Sequence, residues 1–502
     1  MTNNPVENKR MFSDHFYNKI TYVGMILTAF FGSIELLLFI LNSFSLPSNV
    51  LIGGLTYVII PIFVIGSFVL IPFGAIWKWY VINKKKKVAD RKKIYMDLSK
   101  KTHVNGLIAA MSALVILLMM TMIGTYNAFQ YTESNEFCGQ LCHAVMEPEY
   151  VSHENSAHAN IKCAECHIGE GVDWYIKSKI SGMRQLLGVV LSNYPKPVPS
   201  PVHNLRPAND TCEKCHWPNK FYSSFDLKKT YYPKEEGLEK SWVIRMLVKV
   251  GSTKQNAQGI HAHMFNNNKI YYVADDEKRQ QISWVKSVDA SGKETIYLAP
   301  DSKYNASKPS EKEVRNMDCI DCHNRPTHQY KSPQDIVNLA IASEKIKPVM
   351  PNLKNTIIEV LTAEYKNKKE AASTIKEKLT SYYKQELGSD FSKNSKDVEK
   401  TVDYVASQYT INFFPEMKAV WSAYPDNIGH LNSAGCFRCH DGQHKSADGK
   451  VISRNCNSCH IIIEQGGASK VEKSVDGLEF KHPFDGDETW KETGCYECHT
   501  GE

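Results

Sequence analysis

Cysteine and histidine residues recur along this chain of 502 residues in a spacing that suits covalent attachment of haem. All 14 cysteines fall into pairs, and a histidine directly follows the second cysteine of every pair. Two thiols at this spacing can add to the two vinyl groups of one porphyrin, and the adjacent imidazole is then held against the iron. The pattern therefore predicts seven covalently bound haem c groups.

We number the motifs 1 to 7 in chain order. They comprise Cys138, Cys142 and His143; Cys163, Cys166 and His167; Cys212, Cys215 and His216; Cys319, Cys322 and His323; Cys436, Cys439 and His440; Cys456, Cys459 and His460; and Cys495, Cys498 and His499. Zinc knuckles and disulfides are alternative uses of cysteine pairs, but neither requires a histidine after each pair. Motif 1 has three residues between its cysteines where the others have two, so a disulfide is its competing interpretation.

Each six-coordinate iron needs a second axial ligand in addition to the histidine of its motif. Methionine is a known axial ligand that raises the reduction potential, and Met146 follows motif 1 closely. Because ligands are plentiful and every motif ends in histidine, the count favours electron transfer over a terminal reductase with an open iron position. The further candidate ligands are His153, His158, His203, His261, His263, His328, His430, His444 and His482.

Three long apolar runs precede motif 1, at about residues 20–41, 51–82 and 106–126, and each is long enough to cross a bilayer. The segment 83–104 has nine basic and two acidic residues, so its net charge of +7 accounts for the formal +6 of the whole chain. The positive-inside rule places this segment and the N-terminus in the cytoplasm, and the haem motifs on the periplasmic side of a bacterial cytoplasmic membrane. The near-neutral remainder gives no support to nucleic-acid binding.

The predicted fold class is a mostly α and irregular multihaem cytochrome c, with three transmembrane helices and a periplasmic haem-packed domain. We expect stacked porphyrins to supply much of the apolar core of that domain. The predicted parts are a membrane anchor at 1–130, a four-haem domain at 131–330 with a small β-rich insertion at about 221–316, a helical connector at 331–428 and a three-haem domain at 429–502.

Local patterns predict regular structure in the insertion and in the connector. Within the insertion, alternating and β-branched residues predict strands at Lys269–Asp275, Ile282–Val288 and Thr295–Leu298. In the connector, apolar residues on spacings of three and four predict helices with one buried face, which carries Ile357, Leu361, Ile375, Leu379 and Tyr383. A further helix is expected at about 396–409.

Several short sequences around motifs 1 to 4 form an ordered set. They are Phe137-Cys138, then Cys142-His143-Ala144-Val145-Met146-Glu147-Pro148, Ser156-Ala157-His158, Cys163-Ala164-Glu165-Cys166-His167, Lys179, Gly182 and Met317-Asp318-Cys319-Ile320-Asp321-Cys322-His323. This set resembles the NapC/NirT family of membrane-anchored quinol dehydrogenases. The resemblance implies that Met146 lies beside the first haem, that His158 reaches the fourth haem and that His328 reaches the second.

The seven-haem total and the three spans are similar to the larger cytochromes of this family that feed electrons to extracellular acceptors, whereas most members have one span. The resemblance implies oxidation of a quinol, which we expect to be menaquinol. It also implies electron transfer to periplasmic multihaem cytochromes. The implied quinol pocket contains Lys179, with Gln185 six residues further along; the competing interpretation of Lys179 is an interfacial lysine that meets lipid head groups. Independently of the resemblance, Glu35 is the only acidic residue inside a predicted span, so it is either part of a proton path at a quinol site or a residue that faces a neighbouring helix or the interface. Family members commonly carry an acidic residue at the position of Gln185, so Glu35, Glu147 or Glu149 would have to accept protons. The alternatives are a relay or anchor subunit of a larger respiratory complex, and a terminal reductase.

Overall fold

The computed structural model describes residues 14–44, 52, 54–84, 99, 101–141, 143–202, 205–217, 223–233, 241–251, 259–264, 269–305, 307–346, 352–467, 469–483 and 488–501. Two predicted site residues, Cys142 and His203, lie outside this part of the chain, as does most of the basic segment. The chain forms two compact units, residues 1–141 and 142–502, which are described separately.

Long apolar helices dominate the first unit. Helix α1 (Lys19–Phe44) packs against helix α2 (Ile60–Lys84), which a π-helical turn, Leu55–Ile59, precedes. The segments Lys19–Ile40 and Leu55–Ile82 are long and apolar enough to cross a membrane, and most of their side chains are exposed in this unit. Exposed apolar side chains on long helices are favourable in lipid, so these two helices form the membrane anchor.

The third predicted span is helical as well. Helix α3 (Lys101–Thr132) covers it, and the short helix α4 (Asn135–Gln140) follows after the N-cap Ser134, whose side chain accepts a hydrogen bond from the amide of Phe137. Within the described residues, α1 and α2 are the two helices that meet the length and hydropathy needed for a membrane span. The third crossing therefore stays a prediction.

The second unit is rich in short helices around the haem motifs and in longer helices elsewhere. Each haem motif lies on a short segment, because its two cysteines and its histidine need only a single helical turn. Its α-helices are α5 (His143–Glu154), α6 (Cys163–His167), α7 (Val172–Val190), α8 (Ala208–Thr211), α9 (Cys319–Cys322), α10 (Pro333–Ala342), α11 (Leu353–Thr362), α12 (Lys368–Leu387), α13 (Phe391–Asn412) and α14 (Cys495–Cys498).

Two antiparallel sheets lie in the second unit, in the orders β1-β2-β8-β9 and β6-β3-β4-β5-β7. The three predicted strand runs are confirmed as β3, β4 and β5. The strands are β1 (Ser224–Tyr231), β2 (Trp242–Lys249), β3 (Lys269–Ala274), β4 (Ile282–Val288), β5 (Glu294–Leu298), β6 (Arg315–Asn316), β7 (Lys445–Ser446), β8 (His460–Gly467) and β9 (Lys470–Leu478). The C-terminal strands β7, β8 and β9 thus belong to the same two sheets as the strands of the insertion. Both sheets therefore contain residues from before and after the predicted boundary at 429.

Helices α10 to α13 form a hydrophobic core that contains no haem motif. The predicted buried face is confirmed, because Ile357, Ile375 and Leu379 are fully buried and Leu361 and Tyr383 nearly so. The helix starts are encoded locally: Ser332 caps α10 ahead of Pro333, and the side chain of Asn367 caps α12 by accepting from the amide of Glu370. Fully buried aliphatic side chains of this kind stabilise a fold by about 1.5–3 kcal/mol each.

Candidate haem sites

Each haem motif that the structure describes completely forms one tight helical turn. In motif 4 the amide of His323 donates to the carbonyl of Cys319 at 2.8 Å, and in motif 7 the amide of His499 donates to the carbonyl of Cys495 at 2.9 Å. Residues three and four apart share one face of such a turn. The two thiols and the imidazole of a motif are therefore presented to the same side, as attachment of one porphyrin and its iron requires.

Six motif histidines each lie opposite a second histidine from a distant part of the chain. Two imidazoles that hold one metal ion between them, each nitrogen about 2 Å from the ion, have ring centres roughly 6 Å apart. The observed distances between ring centres fall between 5.8 and 6.3 Å. The pairs are His167 with His328, His216 with His158, His323 with His261, His440 with His263, His460 with His430, and His499 with His482.

Hydrogen bonds at Nδ1 orient several of these rings. Nδ1 of His261 lies 2.7 Å from the carbonyl oxygen of Val250, and Nδ1 of His263 lies 2.8 Å from that of Ile260. In motif 5, Nδ1 of His440 lies 2.8 Å from the carbonyl oxygen of Ser453. A carbonyl accepts only from a protonated nitrogen, so Nδ1 carries the proton and Nε2 is left as a lone-pair donor for iron.

Burial also favours the neutral, ligand-competent form of these side chains. It lowers the pKa of His430 and of His328 to about 4, and it lowers the pKa of His167 as well. A neutral imidazole is the form that binds a metal.

Two candidate ligands from the sequence, His444 and His153, have a different environment. His444 is buried, with Nδ1 3.0 Å from the carboxylate of Asp441 and Nε2 2.9 Å from the carbonyl oxygen of Ile282. Nε2 of His153 lies 2.9 Å from the carbonyl oxygen of Ile161. Nε2 of both residues thus lies beside a backbone carbonyl oxygen, and their role as iron ligands stays a prediction.

The pairing differs in one respect from what the family resemblance implies. His328 lies beside His167 of motif 2, as expected. His158, however, lies 5.9 Å from His216 of motif 3, and His261 occupies the expected place beside His323 of motif 4. For motif 1, Met146 lies half-buried on α5, one turn after His143, and its role as a ligand stays a prediction.

A single large cavity of about 2390 Å³ connects most of the motifs. Ordinary ligand pockets measure about 300–1,000 Å³, so this cavity has room for several cofactors. Residues of motifs 3 to 7 line it, together with Cys166 of motif 2 and apolar side chains such as Ile244 and Met246. The volume, the apolar lining and the paired imidazoles together fit bound haem.

Zinc and disulfide chemistry do not fit the same residues. In the part of the chain that the structure describes, no three His, Cys, Asp or Glu side chains gather closely enough to hold a metal ion. Cys166, Cys322 and Cys439 form no disulfide in this part of the chain. Burial raises the pKa of the Cys439 thiol to about 12 and that of Cys322 to about 11, so both side chains are neutral thiols at physiological pH.

Thiols of consecutive motifs lie close enough to interact electrostatically, and in each neighbouring pair one thiol helps to raise the pKa of the other. The neighbouring pairs are Cys166 with Cys212, Cys212 with Cys319, Cys322 with Cys439, Cys436 with Cys459, and Cys456 with Cys495. Each of motifs 2 to 6 thus lies near the motif that follows it in the sequence.

Comparison with known proteins agrees with this arrangement. The N-terminal region of the NapC/NirT cytochrome c family matches residues 99–197. Over 496 residues the chain is 37% identical to the cytochrome c-type protein ImcH of Geobacter sulfurreducens, an alignment that covers 98% of this chain and 96% of that protein. The chain belongs to the NapC/NirT cytochrome c family. It is a membrane-anchored multihaem cytochrome with covalently bound haem c, and it acts in electron transport. No solved structure matches it.

The three residues predicted for a quinol pocket lie in different units. Lys179 and Gln185 lie on α7 in the second unit, and Glu35 lies on α1 in the first. Nζ of Lys179 lies 4.7 Å from the ring centre of Tyr175, and Nε2 of Gln185 donates to Oγ of Ser181 at 3.3 Å. Both residues lie on one solvent-accessible helix.

The two alternative proton acceptors on α5 are engaged in ion pairs. Glu147 contacts Nζ of Lys368 at 2.9 Å. Glu149 contacts Nη2 of Arg325 at 3.3 Å and Nδ1 of His328 at 3.0 Å. Both carboxylates thus have fixed partners within the second unit. Sequence reasoning could not detect these partners, since each lies far away in the chain.

Proposed function

We propose that this cytochrome oxidises menaquinol and passes the electrons through seven haems to periplasmic multihaem cytochromes. In this proposal the N-terminus is cytoplasmic and residues beyond about 130 lie in the periplasm of a bacterium. One menaquinol becomes menaquinone, with release of two protons and two electrons. When bound, each haem c supplies a one-electron Fe(III)/Fe(II) couple, and the protein residues set its ligation, spacing and burial.

The observation that carries this proposal is the proximity of consecutive motifs from 2 to 7, together with their paired imidazoles. The step from motif 4 to motif 5 is especially well supported. His261 and His263 lie on one short 3₁₀ turn, Ile260–Met264, yet they face His323 of motif 4 and His440 of motif 5. One turn of backbone thus positions a ligand for each of two consecutive haems, which favours a continuous path for electrons.

A direct link between the two motif loops adds to this support. Arg438 lies between the cysteines of motif 5, and its Nη2 donates to the carbonyl oxygen of Asp321, between the cysteines of motif 4, at 2.8 Å. Its Nη1 donates to the carbonyl oxygen of Arg279, also at 2.8 Å. A planar guanidinium with two fixed carbonyl acceptors holds the two loops at a constant separation.

At the other end of the series, α7 has the composition expected beside a lipid phase. Ile176, Ile180, Met183 and Leu187 follow one another at helical spacing and are 46–63% exposed. Lys177, Lys179 and Arg184 supply basic groups on the same helix. An apolar stripe next to basic residues suits the membrane interface, where menaquinol is available. The ammonium of Lys179 would favour deprotonation of a nearby quinol oxygen.

The test is anaerobic addition of a menaquinol analogue to the purified, oxidised protein, followed through the ferrous haem absorption band. We expect fast reduction in the wild type and a loss of at least tenfold in rate for Lys179→Ala. The matched control is Lys177→Ala, which removes a lysine on the same helix that lies over the ring of Trp174 at 5.0 Å. It should reduce as fast as the wild type. Mass spectrometry of the denatured chain should show seven haems.

Two outcomes would redirect the assignment. A protein that dithionite reduces fully but menaquinol does not would act as a relay subunit, with quinol oxidation elsewhere. A terminal reductase would show a high-spin ferric signal that shifts with nitrite, hydroxylamine or sulfite. The second imidazole opposite each of the six described motif histidines argues against an open iron position at motifs 2 to 7.

A further inference from the structure

Glu149 forms a buried bridge between a cation and one of the paired histidines. Oε2 of Glu149 lies 3.0 Å from Nδ1 of His328, which faces His167 of motif 2. Nη2 of Arg325 lies 3.4 Å from Oε1 and 3.3 Å from Oε2 of the same carboxylate. The side chain of Arg325 is 7% exposed and that of Glu149 is 17% exposed, so solvent screens these contacts only weakly.

Arg325 is itself held firmly, so the position of the carboxylate is well defined. Its Nε donates to the backbone carbonyl of His328 at 2.7 Å. Its guanidinium lies 4.2 Å from the ring centre of Tyr424 and 5.2 Å from that of Tyr330. Arg325 therefore fixes both the backbone of His328 and the carboxylate that approaches its imidazole.

A carboxylate acts on a ligand imidazole more strongly than a peptide carbonyl does. Nδ1 of His263 and of His440 meets a neutral backbone carbonyl. Nδ1 of His328 has neutral partners as well, the backbone carbonyl oxygen of Glu149 at 3.1 Å and Oγ of Ser152 at 3.3 Å, but in addition the charged Oε2 of Glu149 lies 3.0 Å away. A carboxylate acceptor raises the basicity of the imidazole, and a stronger donor stabilises Fe(III) relative to Fe(II). The negative charge acts in the same direction, because reduction adds an electron to the iron beside it.

We propose that Glu149 is a positioning residue that lowers the reduction potential of the haem at motif 2 through the contact of its carboxylate with Nδ1 of His328. This inference rests on the proposed pairing of His328 with motif 2. It does not depend on quinol oxidation, since the potential of a haem is measured without quinol.

The test is a potentiometric titration of the full-length holoprotein, followed by optical and electron paramagnetic resonance spectra. A His328→Met variant identifies the transition of the motif 2 haem by changing its low-spin signal. Glu149→Gln keeps the size of the side chain but removes its charge. We expect it to favour reduction of this haem at least tenfold, an upward shift of about 59 mV for a one-electron couple. The other transitions should move far less.

Two further variants make the test decisive. Glu149→Asp retains the charge but shortens the side chain, so the contact with Nδ1 is lost and a smaller upward shift is expected. If Glu149→Gln does not assemble, the potential of the motif 2 haem in Glu149→Asp tests the proposal by itself. Glu147→Gln is the control, because Glu147 lies on the same helix and is paired with Lys368 instead. An unchanged motif 2 potential in the Glu149 variants, or an equal shift in Glu147→Gln, overturns the proposal.

Discussion

His430 and His444 were equal candidates in the sequence, and the structure predicts opposite results for their replacement. The ring of His430 lies 6.2 Å from that of His460 and stacks on Phe437 at 4.3 Å. His430→Ala removes the imidazole opposite motif 6 but leaves the thioether attachment intact. We therefore expect an unchanged haem count and conversion of one haem in seven from low spin to high spin. Loss of the ring stacking should destabilise the protein by about 0.5–1.5 kcal/mol in addition.

The measurement is the high-spin ferric signal in electron paramagnetic resonance spectra, quantified against total haem. Added imidazole should enter the vacated position and restore the low-spin spectrum. His444→Gln is the matched control, because both nitrogens of His444 are held by Asp441 and Ile282. It should lower stability by about 1–3 kcal/mol through lost buried hydrogen bonds, with no change of spin state. A high-spin signal in His444→Gln, or its absence in His430→Ala, would refute the assignment of ligands.

Three further predictions concern the scaffold. Leu379→Ala, at a fully buried position in the helical core, should cost about 2–5 kcal/mol in urea unfolding followed by circular dichroism, with an unchanged haem spectrum before unfolding. Arg438→Met should leave haem attachment intact but slow reduction of the haems at motifs 5 to 7 relative to those before them, as seen by stopped-flow after a reductant pulse. Asp321→Asn should lower stability by about 3 kcal/mol in thermal unfolding, because the 1% exposed carboxylate is the counter-ion of Arg279 and Arg315.

Much of the local structure was predictable from short-range patterns. The buried face through Ile357 and Leu379 and the strand at Ile282–Val288 appear as expected, because side-chain periodicity reports directly which face is buried. The strands Ser224–Tyr231 and Lys470–Leu478 were not predicted. They are edge strands with largely exposed side chains, and such strands lack a clear alternation of apolar and polar residues.

Domain boundaries were harder to infer because they depend on contacts between distant residues. The predicted three-haem domain begins at residue 429, yet β8 pairs with β2 and β7 pairs with β5, both in the insertion. The motif loops at Asp321 and Arg438 are also joined by a hydrogen bond. Hydrogen bonds of this kind cannot be inferred from the composition of the chain or from the spacing of its residues.

The sequence by itself predicted where haem is attached and which family the protein resembles, because the two cysteines and the histidine of one motif are neighbours on a single turn. Only the tertiary structure decided which histidines face one another. In the sequence, every candidate is simply a histidine. In the structure, Nε2 of His444 lies beside a backbone carbonyl oxygen, whereas His430 faces His460. The two histidines of a pair come from different segments of the chain, and only folding brings their rings to opposite sides of one haem site.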